Sequence, residues 1–99
     1  MTSLTRENQI VIYSKTTCPY CKKAKKLLKD EKVPFKSIEL DQVKNYSELK
    51  NKLVSETGQT TVPNIFIGDY HVGGFDELNN IILTGEFDEL LEDYQILIE

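Results

Sequence analysis

Cysteine is scarce in this chain: only Cys18 and Cys21 occur, with two residues between them. A bridge closing so short a loop restrains an unfolded chain little, which excludes the disulfide scaffold of a small secreted domain. Histidine is scarcer still, with His71 alone, and no second CxxC is present, so a structural zinc site lacks its four ligands. His71 itself is read as a surface or packing residue, and no metal is expected. No run approaches 18 apolar residues and the N-terminal MTSLTRENQ has no apolar centre. Neither a membrane span nor a secretory signal is therefore expected, and the reading is a cytoplasmic, reducing location with no membrane partner. Linkers rich in Pro, Gly or Ser, internal repeats and low-complexity tracts are also missing, so residues 1–99 are read as one domain.

Apolar content is low as well, at 39% against about 45–50% for an average domain, which predicts a modest core. The 28% of charged residues is of mixed sign, which argues against disorder. Basic residues are nearly absent from the second half. Residues 1–50 carry 11 Lys and Arg against 6 Asp and Glu, whereas residues 51–99 carry 1 against 10, within a net charge of −4. Two readings fit this split: solvated helix faces, or a field acting on a charged ligand.

The run Ile10–Tyr13 is short, β-branched and aromatic, and predicts a buried strand. From Cys18 the period changes. Cys21, Ala24 and Leu28, with Leu27 beside them, recur at helical spacing, while Lys22, Lys25, Lys26 and Lys29 form a basic stripe on another face. Val33-Pro34 is expected to end this helix, and Phe35–Leu40 to form a second strand parallel to the first through a right-handed crossover. Asn45 and Glu48 resemble a capping box opening a second helix that ends near Gly58. Residues 64–67 then predict a third strand, Gly68-Asp69 a tight turn, and Tyr70–Val72 an antiparallel fourth. Asp76 is expected to cap a third helix carrying Leu78, Ile81 and Ile82, and a final helix carries Phe87, Leu90 and Leu91.

The chemistry concentrates where the first strand meets the first helix. In Cys18-Pro19-Tyr20-Cys21 the cysteines occupy neighbouring positions of one turn, where their sulfurs can join and separate without moving the rest of the chain. Pro19 suits the first helical position, and Cys18 falls at the cap, where unpaired N–H groups and the positive dipole end favour a thiolate. Cys21, one turn in and on the apolar side, is expected to be buried and less acidic. Cys18 is thus read as the attacking sulfur and Cys21 as the resolving one. Lys15, in the loop before them, can face a ligand. Pro63 reads either as a plain strand-start proline or as a cis-proline turning the Val62 backbone outward to an extended peptide. Gly73-Gly74-Phe75-Asp76 reads either as a strand end and helix cap, or as a helix N-terminus that receives a carboxylate while Asp76 meets an ammonium.

Taken together, Thr17-Cys18-Pro19-Tyr20-Cys21, Thr61-Val62-Pro63 and Gly73-Gly74-Phe75-Asp76 resemble, in order and spacing, the dithiol glutaredoxins over about residues 8–94. The resemblance implies an α/β thioredoxin fold, a four-stranded mixed sheet of order 2-1-3-4 flanked by helices, with Pro63 cis. It implies a monomeric, glutathione-dependent thiol–disulfide oxidoreductase that uses glutathione as co-substrate with no tightly bound cofactor. Its partners would be proteins carrying glutathione mixed disulfides or disulfides. It also implies a set of glutathione contacts. Lys15 and Gln59 would hold the glycine carboxylate, and Tyr20 would wall the groove. Val62 would pair with the cysteinyl backbone beside Thr61 and Pro63, and Gly74, Phe75 and Asp76 would receive the γ-glutamyl end. Among alternatives, a thioredoxin-like donor fed by a reductase is disfavoured by the missing tryptophan beside the first cysteine. A module holding a [2Fe-2S] cluster with glutathione is disfavoured by Pro19. Nucleic-acid binding is disfavoured because no aromatic interleaves the lysine stripe. Residues 95–99 extend past the family's last helix, as extra packing or as a partner contact.

Overall fold

The computed structural model describes residues 8–97. Its elements follow the expected order: β1 (Ile10–Ser14), α1 (Pro19–Asp30), β2 (Lys36–Glu39), α2 (Tyr46–Thr57), β3 (Asn64–Ile67), β4 (Tyr70–Gly73), α3 (Phe75–Thr84) and α4 (Glu86–Asp93), with a 3-10 turn at Leu40–Gln42 after β2. The strands form one sheet of order β2-β1-β3-β4. β1 pairs parallel with β2 and antiparallel with β3, which pairs antiparallel with β4. The sheet is the mixed, thioredoxin-fold sheet that the sequence resemblance implies.

β1 and β3 are buried along their whole length, and apolar except for Ser14 and Asn64 at one end of the sheet, because both of their faces are covered. Strand alternation then sorts their side chains between two cores. Ile10, Ile12, Ile65 and Ile67 point to the side of α1, α3 and α4, where they meet Ala24, Leu28, Leu78, Phe87 and Leu91. Val11, Tyr13 and Phe66 point to the side of α2, against Leu40, Leu49 and Leu53. Tyr13 and Phe66 meet edge to face, ring centroids 5.8 Å apart, a favoured aromatic geometry. Ile96 joins the larger core and the adjacent Leu97 is exposed, so the tail packs at one residue and faces solvent at the next. The readings on residues 1–7, and on 98–99 of the tail, lie outside the described residues.

Several local expectations are corrected. α1 ends at Asp30, before Val33-Pro34, because Lys32 adopts φ 60° and the N–H groups of Lys32 and Val33 turn back to the Lys29 and Leu28 carbonyls. Leu40 is not in β2 but opens the 3-10 turn, while its side chain still shares the α2-side core with Ile38. Asn45 is the N-cap of α2, yet its side chain makes no capping bond; its backbone (φ −100°, ψ 40°) is not the extended one that aims a capping oxygen at the helix. Asp76 is not the cap of α3. Gly74 is, in extended backbone, and Glu77 reaches back to accept the Gly74 N–H at 2.7 Å.

Gly68 makes the β3–β4 turn with φ 56° and donates its N–H to the Gln9 carbonyl at 2.8 Å. A Cβ there would lie 2.2 Å from the Tyr94 ring, so the turn needs glycine for space as well as for conformation. The next irregularity is in β4: Phe66 pairs with His71 but Ile65 with Gly73, which leaves Val72 as the extra residue of a bulge. That bulge delivers the chain to Gly74 and the start of α3.

Candidate active site

At the end of β1, buried Ser14 donates its hydroxyl to Glu39 of β2 at 2.6 Å, and the same oxygen of Glu39 accepts from Lys25 of α1 at 2.9 Å and from Ser37. Burial alone would raise the Glu39 carboxyl. The hydrogen bonds from Ser14, Ser37 and Lys25 outweigh it and hold the group below the usual carboxylate range. Lys25 therefore leaves the solvated stripe assigned to it by periodicity and ties α1 to the sheet. The loop that follows is tied by Thr16, whose hydroxyl and N–H both donate to Asp41, and by the Cys18 N–H, which donates to the Lys15 carbonyl at 3.1 Å. The hydroxyl bond from Thr16, more than any other influence, holds the Asp41 carboxyl below its ordinary value.

These restraints set the start of α1. Cys18 is its N-cap, in extended backbone, and its Sγ accepts the Cys21 N–H at 3.2 Å, with Pro19 in the first helical turn as expected. Cys18 is partly exposed and Cys21 fully buried; both are free thiols. Burial, and next the hydrogen bond with Cys18, push the Cys21 thiol up to about 12. The two sulfurs thus differ as the spacing predicts, one accessible and one sheltered.

Across from them is a cis Val62–Pro63 peptide bond, with the Val62 carbonyl 3.9 Å from Cys18 Sγ. Gln59 braces this loop, its side-chain amide donating at 2.9 Å to both the Thr61 and Pro63 carbonyls. Both amide hydrogens are spent there, so Gln59 in this arrangement has none left for the carboxylate assigned to it. Thr57 links the brace to α2: its Oγ1 accepts the Gln59 N–H at 3.0 Å and donates to the Leu53 carbonyl at 2.7 Å. Buried Asn64 continues the network, with Oδ1 2.8 Å from His71 Nε2. His71 also lies with its ring 5.1 Å from Phe66, in a packing place.

Two depressions meet at Thr61 and Val62. One is lined by Tyr20, Pro63, Gly74, Phe75, Asp76 and Glu77, with Tyr20 and Phe75 rings 6.0 Å apart and the exposed Asp76 in the first turn of α3. The other lies toward α2 and is lined by Lys15, Tyr46, Lys50 and Gln59 among others. The ammonium groups of Lys15 and Lys50 lie 5.6 and 5.9 Å from the centre of the Tyr46 ring. The structure thus brings the predicted groove residues Lys15, Tyr20, Gln59, Thr61, Val62, Pro63, Gly74, Phe75 and Asp76 into two depressions that meet beside the Val62 carbonyl facing Cys18, whereas His71 and the lysine stripe lie outside them. It adds three that the reading missed: Lys50, Tyr46 and Glu77. Lys50 follows Tyr46 by four residues, a spacing that pairs them on one helix face, but only the fold places Lys15 beside them. Among the described residues no group of three or more His, Cys, Asp or Glu side chains could hold a metal ion, and no helix is long and apolar enough to cross a membrane.

A dithiol at a helix start, opposite a cis-proline on a sheet of this order, defines the site of a thiol–disulfide oxidoreductase of thioredoxin fold. Residues 10–72 match the glutaredoxin family model. A glutaredoxin of Vernicia fordii is 44% identical over 90 residues, spanning 91% of this chain and 86% of that protein. Glutaredoxin-C2 of Arabidopsis thaliana is 40% identical over 90 residues, spanning 91% and 81%. The crystal structure of a buckwheat glutaredoxin–glutathione complex superposes with a TM-score of 0.84 at 36% identity, covering 89% of this chain and 80% of that one. The chain belongs to the glutaredoxin family.

Proposed function

We propose that this glutaredoxin reduces glutathione mixed disulfides through Cys18 alone and protein disulfides through Cys18 and Cys21, with glutathione as co-substrate. The observation that carries the reading is the charge pattern around the accessible sulfur. Glutathione has two carboxylates and one ammonium. The Lys15 and Lys50 ammonium groups rim the depression on one side of Cys18, and on the other the N-terminus of α3 and the Asp76 carboxylate end the groove. The glycine carboxylate would take the two lysines, and the γ-glutamyl carboxylate and ammonium would take the helix N–H groups and Asp76. The Val62 backbone, beside Thr61 and Pro63, would pair with the cysteinyl residue, and Tyr20, Gly74 and Phe75 would enclose it. Gln59 acts through the loop it braces.

In the first step the Cys18 thiolate attacks the glutathione sulfur of a mixed disulfide. The protein thiolate leaves and takes a proton, and Cys18 is joined to glutathione. A second glutathione thiolate attacks the glutathione sulfur of that adduct, releasing oxidised glutathione and the Cys18 thiolate. With a protein disulfide, Cys18 is joined to the protein instead; Cys21 then gives up its proton and attacks Cys18, freeing the protein dithiol and closing the Cys18–Cys21 bridge, which two glutathiones reopen. The test is turnover of a glutathione mixed disulfide by the purified protein with glutathione and glutathione reductase, set beside the same assay with thioredoxin reductase as electron source. Turnover with the first and none with the second is expected, and the reverse pattern would refute glutathione dependence.

A further inference from the structure

We propose that the α1 face running from Cys18 is a docking surface for target proteins, and that it selects glutathionylated cysteines flanked by acidic residues. The inference rests on the glutathione reading above, because it asks where a target lies once glutathione fills its groove. The Val62 side of Cys18, from Lys15 to Asp76, is then occupied. A protein joined to that glutathione is left with the opposite rim, where Pro19, Lys22 and Lys23 are exposed and Tyr20 marks the border with the groove.

That rim is basic, and its charge is uncompensated among the described residues. Cys18, Lys22 and Lys29 are spaced by four and seven residues, so they line one helix face. Two other lysines of α1 are neutralised, Lys25 by Glu39 at 2.9 Å and Lys26 by Asp30 at 3.1 Å. Lys22, Lys23 and Lys29 are exposed and have no carboxylate partner among the described residues. Lys23 instead lies 5.0 Å from the centre of the Tyr20 ring, which is 56% exposed and stands between the stripe and the groove. Lys22 is one helical turn from Cys18, about 5–6 Å along the axis, inside a screening length of about 8 Å at physiological salt, so its charge acts on a protein segment that approaches that sulfur from the α1 side. The far rim of the groove has the opposite sign, with Asp76 and Glu77 exposed.

An acidic protein segment fits these observations better than nucleic acid does. The stripe shares its face with a sulfur whose partner is another cysteine, and apart from Tyr20, which belongs to the groove, no aromatic stands among Lys22, Lys26 and Lys29 to stack a base. The second half of the chain, with 1 basic residue against 10 acidic, would repel a long polyanion.

The test compares kcat/KM for three substrates: a small glutathione mixed disulfide and two glutathionylated peptides of equal length, the cysteine flanked by Asp and Glu in one and by Lys in the other. Steering by a few exposed charges predicts a preference of about ten-fold for the acidic peptide in dilute buffer, collapsing when salt is raised several-fold. The double variant Lys22→Glu/Lys29→Glu should abolish or invert the preference while leaving the small disulfide within about two-fold. Lys22→Gln/Lys29→Gln should fall between, and stands in should the reversal fold poorly. Equal values for the two peptides, or a preference that survives both variants, would overturn the proposal. So would a labelled single-stranded oligonucleotide that displaces the acidic peptide through the same lysines. Failure of the wild type on the small disulfide would sink the glutathione reading instead.

Discussion

Cys18 and Cys21 share a turn of helix but not a solvent. The Cys18 sulfur, at the cap, receives an N–H and faces the Val62 carbonyl, whereas the Cys21 thiol is buried and pushed up to about 12. At neutral pH the reduced protein should therefore take one alkyl group from iodoacetamide, at Cys18, and mass spectrometry should find Cys21 modified only in strong alkali or after unfolding; early labelling of Cys21 would contradict its burial. The same asymmetry predicts that Cys18→Ser abolishes all turnover, while Cys21→Ser keeps reduction of glutathione mixed disulfides and loses that of protein disulfides. Equal loss of both in Cys21→Ser would mean the division of labour is wrong. At the other end of the site, Lys15 and Lys50 are rim charges. Removing either as Lys→Gln should raise KM for a glutathione mixed disulfide about three- to five-fold with kcat nearly kept, the size of a partly screened ion pair. Steady-state kinetics decide it, and a fall in kcat with unchanged KM would place these lysines elsewhere in the cycle.

At the scale of elements, one carboxylate, that of Glu39, links β1, β2 and α1 in addition to the strand ladder and the core. Because its folded value lies below the ordinary 4.5, its contribution to stability is present above that value and is lost as pH falls through the lower, folded one. Glu39→Gln should cost about 1 kcal/mol at pH 7, a charge-assisted bond discounted for partial exposure. The gap from wild type should close on acidification. Urea titrations at several pH values would show this, and a gap that persists in acid would point to packing rather than charge. Glu39 also marks where sequence reading stopped. The order of strands and helices was legible because each strand is a short β-branched run and each helix an apolar stripe at its own period. Cys18 at the cap was legible because Pro19 and the first apolar turn fix the frame. What escaped depends on groups distant in sequence: Lys25 leaving its stripe for Glu39, Lys50 arriving beside Lys15, and Gln59 turning onto the carbonyls around Pro63. The start of α3 escaped for a nearer reason. Aspartate is a good cap in general, but at Gly73-Gly74 the chain can begin its helix two residues earlier and recruit Glu77.

The molecule as a whole is lopsided. Among the described residues the core on the α1, α3 and α4 side contains 14 that are buried, and the one under α2 contains 6, of which α2 itself supplies Leu49 and Leu53. A large cooperative core therefore stands on one side of the sheet and a thin layer on the other. Elements with few buried apolar groups open at lower free energy than the global unfolding. α2 also begins without a side-chain cap, although its end is fastened through Thr57 and Gly58. Native-state hydrogen exchange should accordingly show amides of α2 opening below the limit set by β1, β3 and α1. Leu53→Ala, which empties a site in the smaller core, should widen that difference by roughly 2–4 kcal/mol. This layer carries Lys50 and, through Thr57, the brace on Gln59, so the more thinly packed side of the sheet is the one that shapes the lysine end of the groove. Oxidised glutathione bound there should slow exchange in α2 more than in α1. Uniform protection across all helices, with or without the ligand, would mean that α2 is as firmly held as the rest and that the two cores unfold as one.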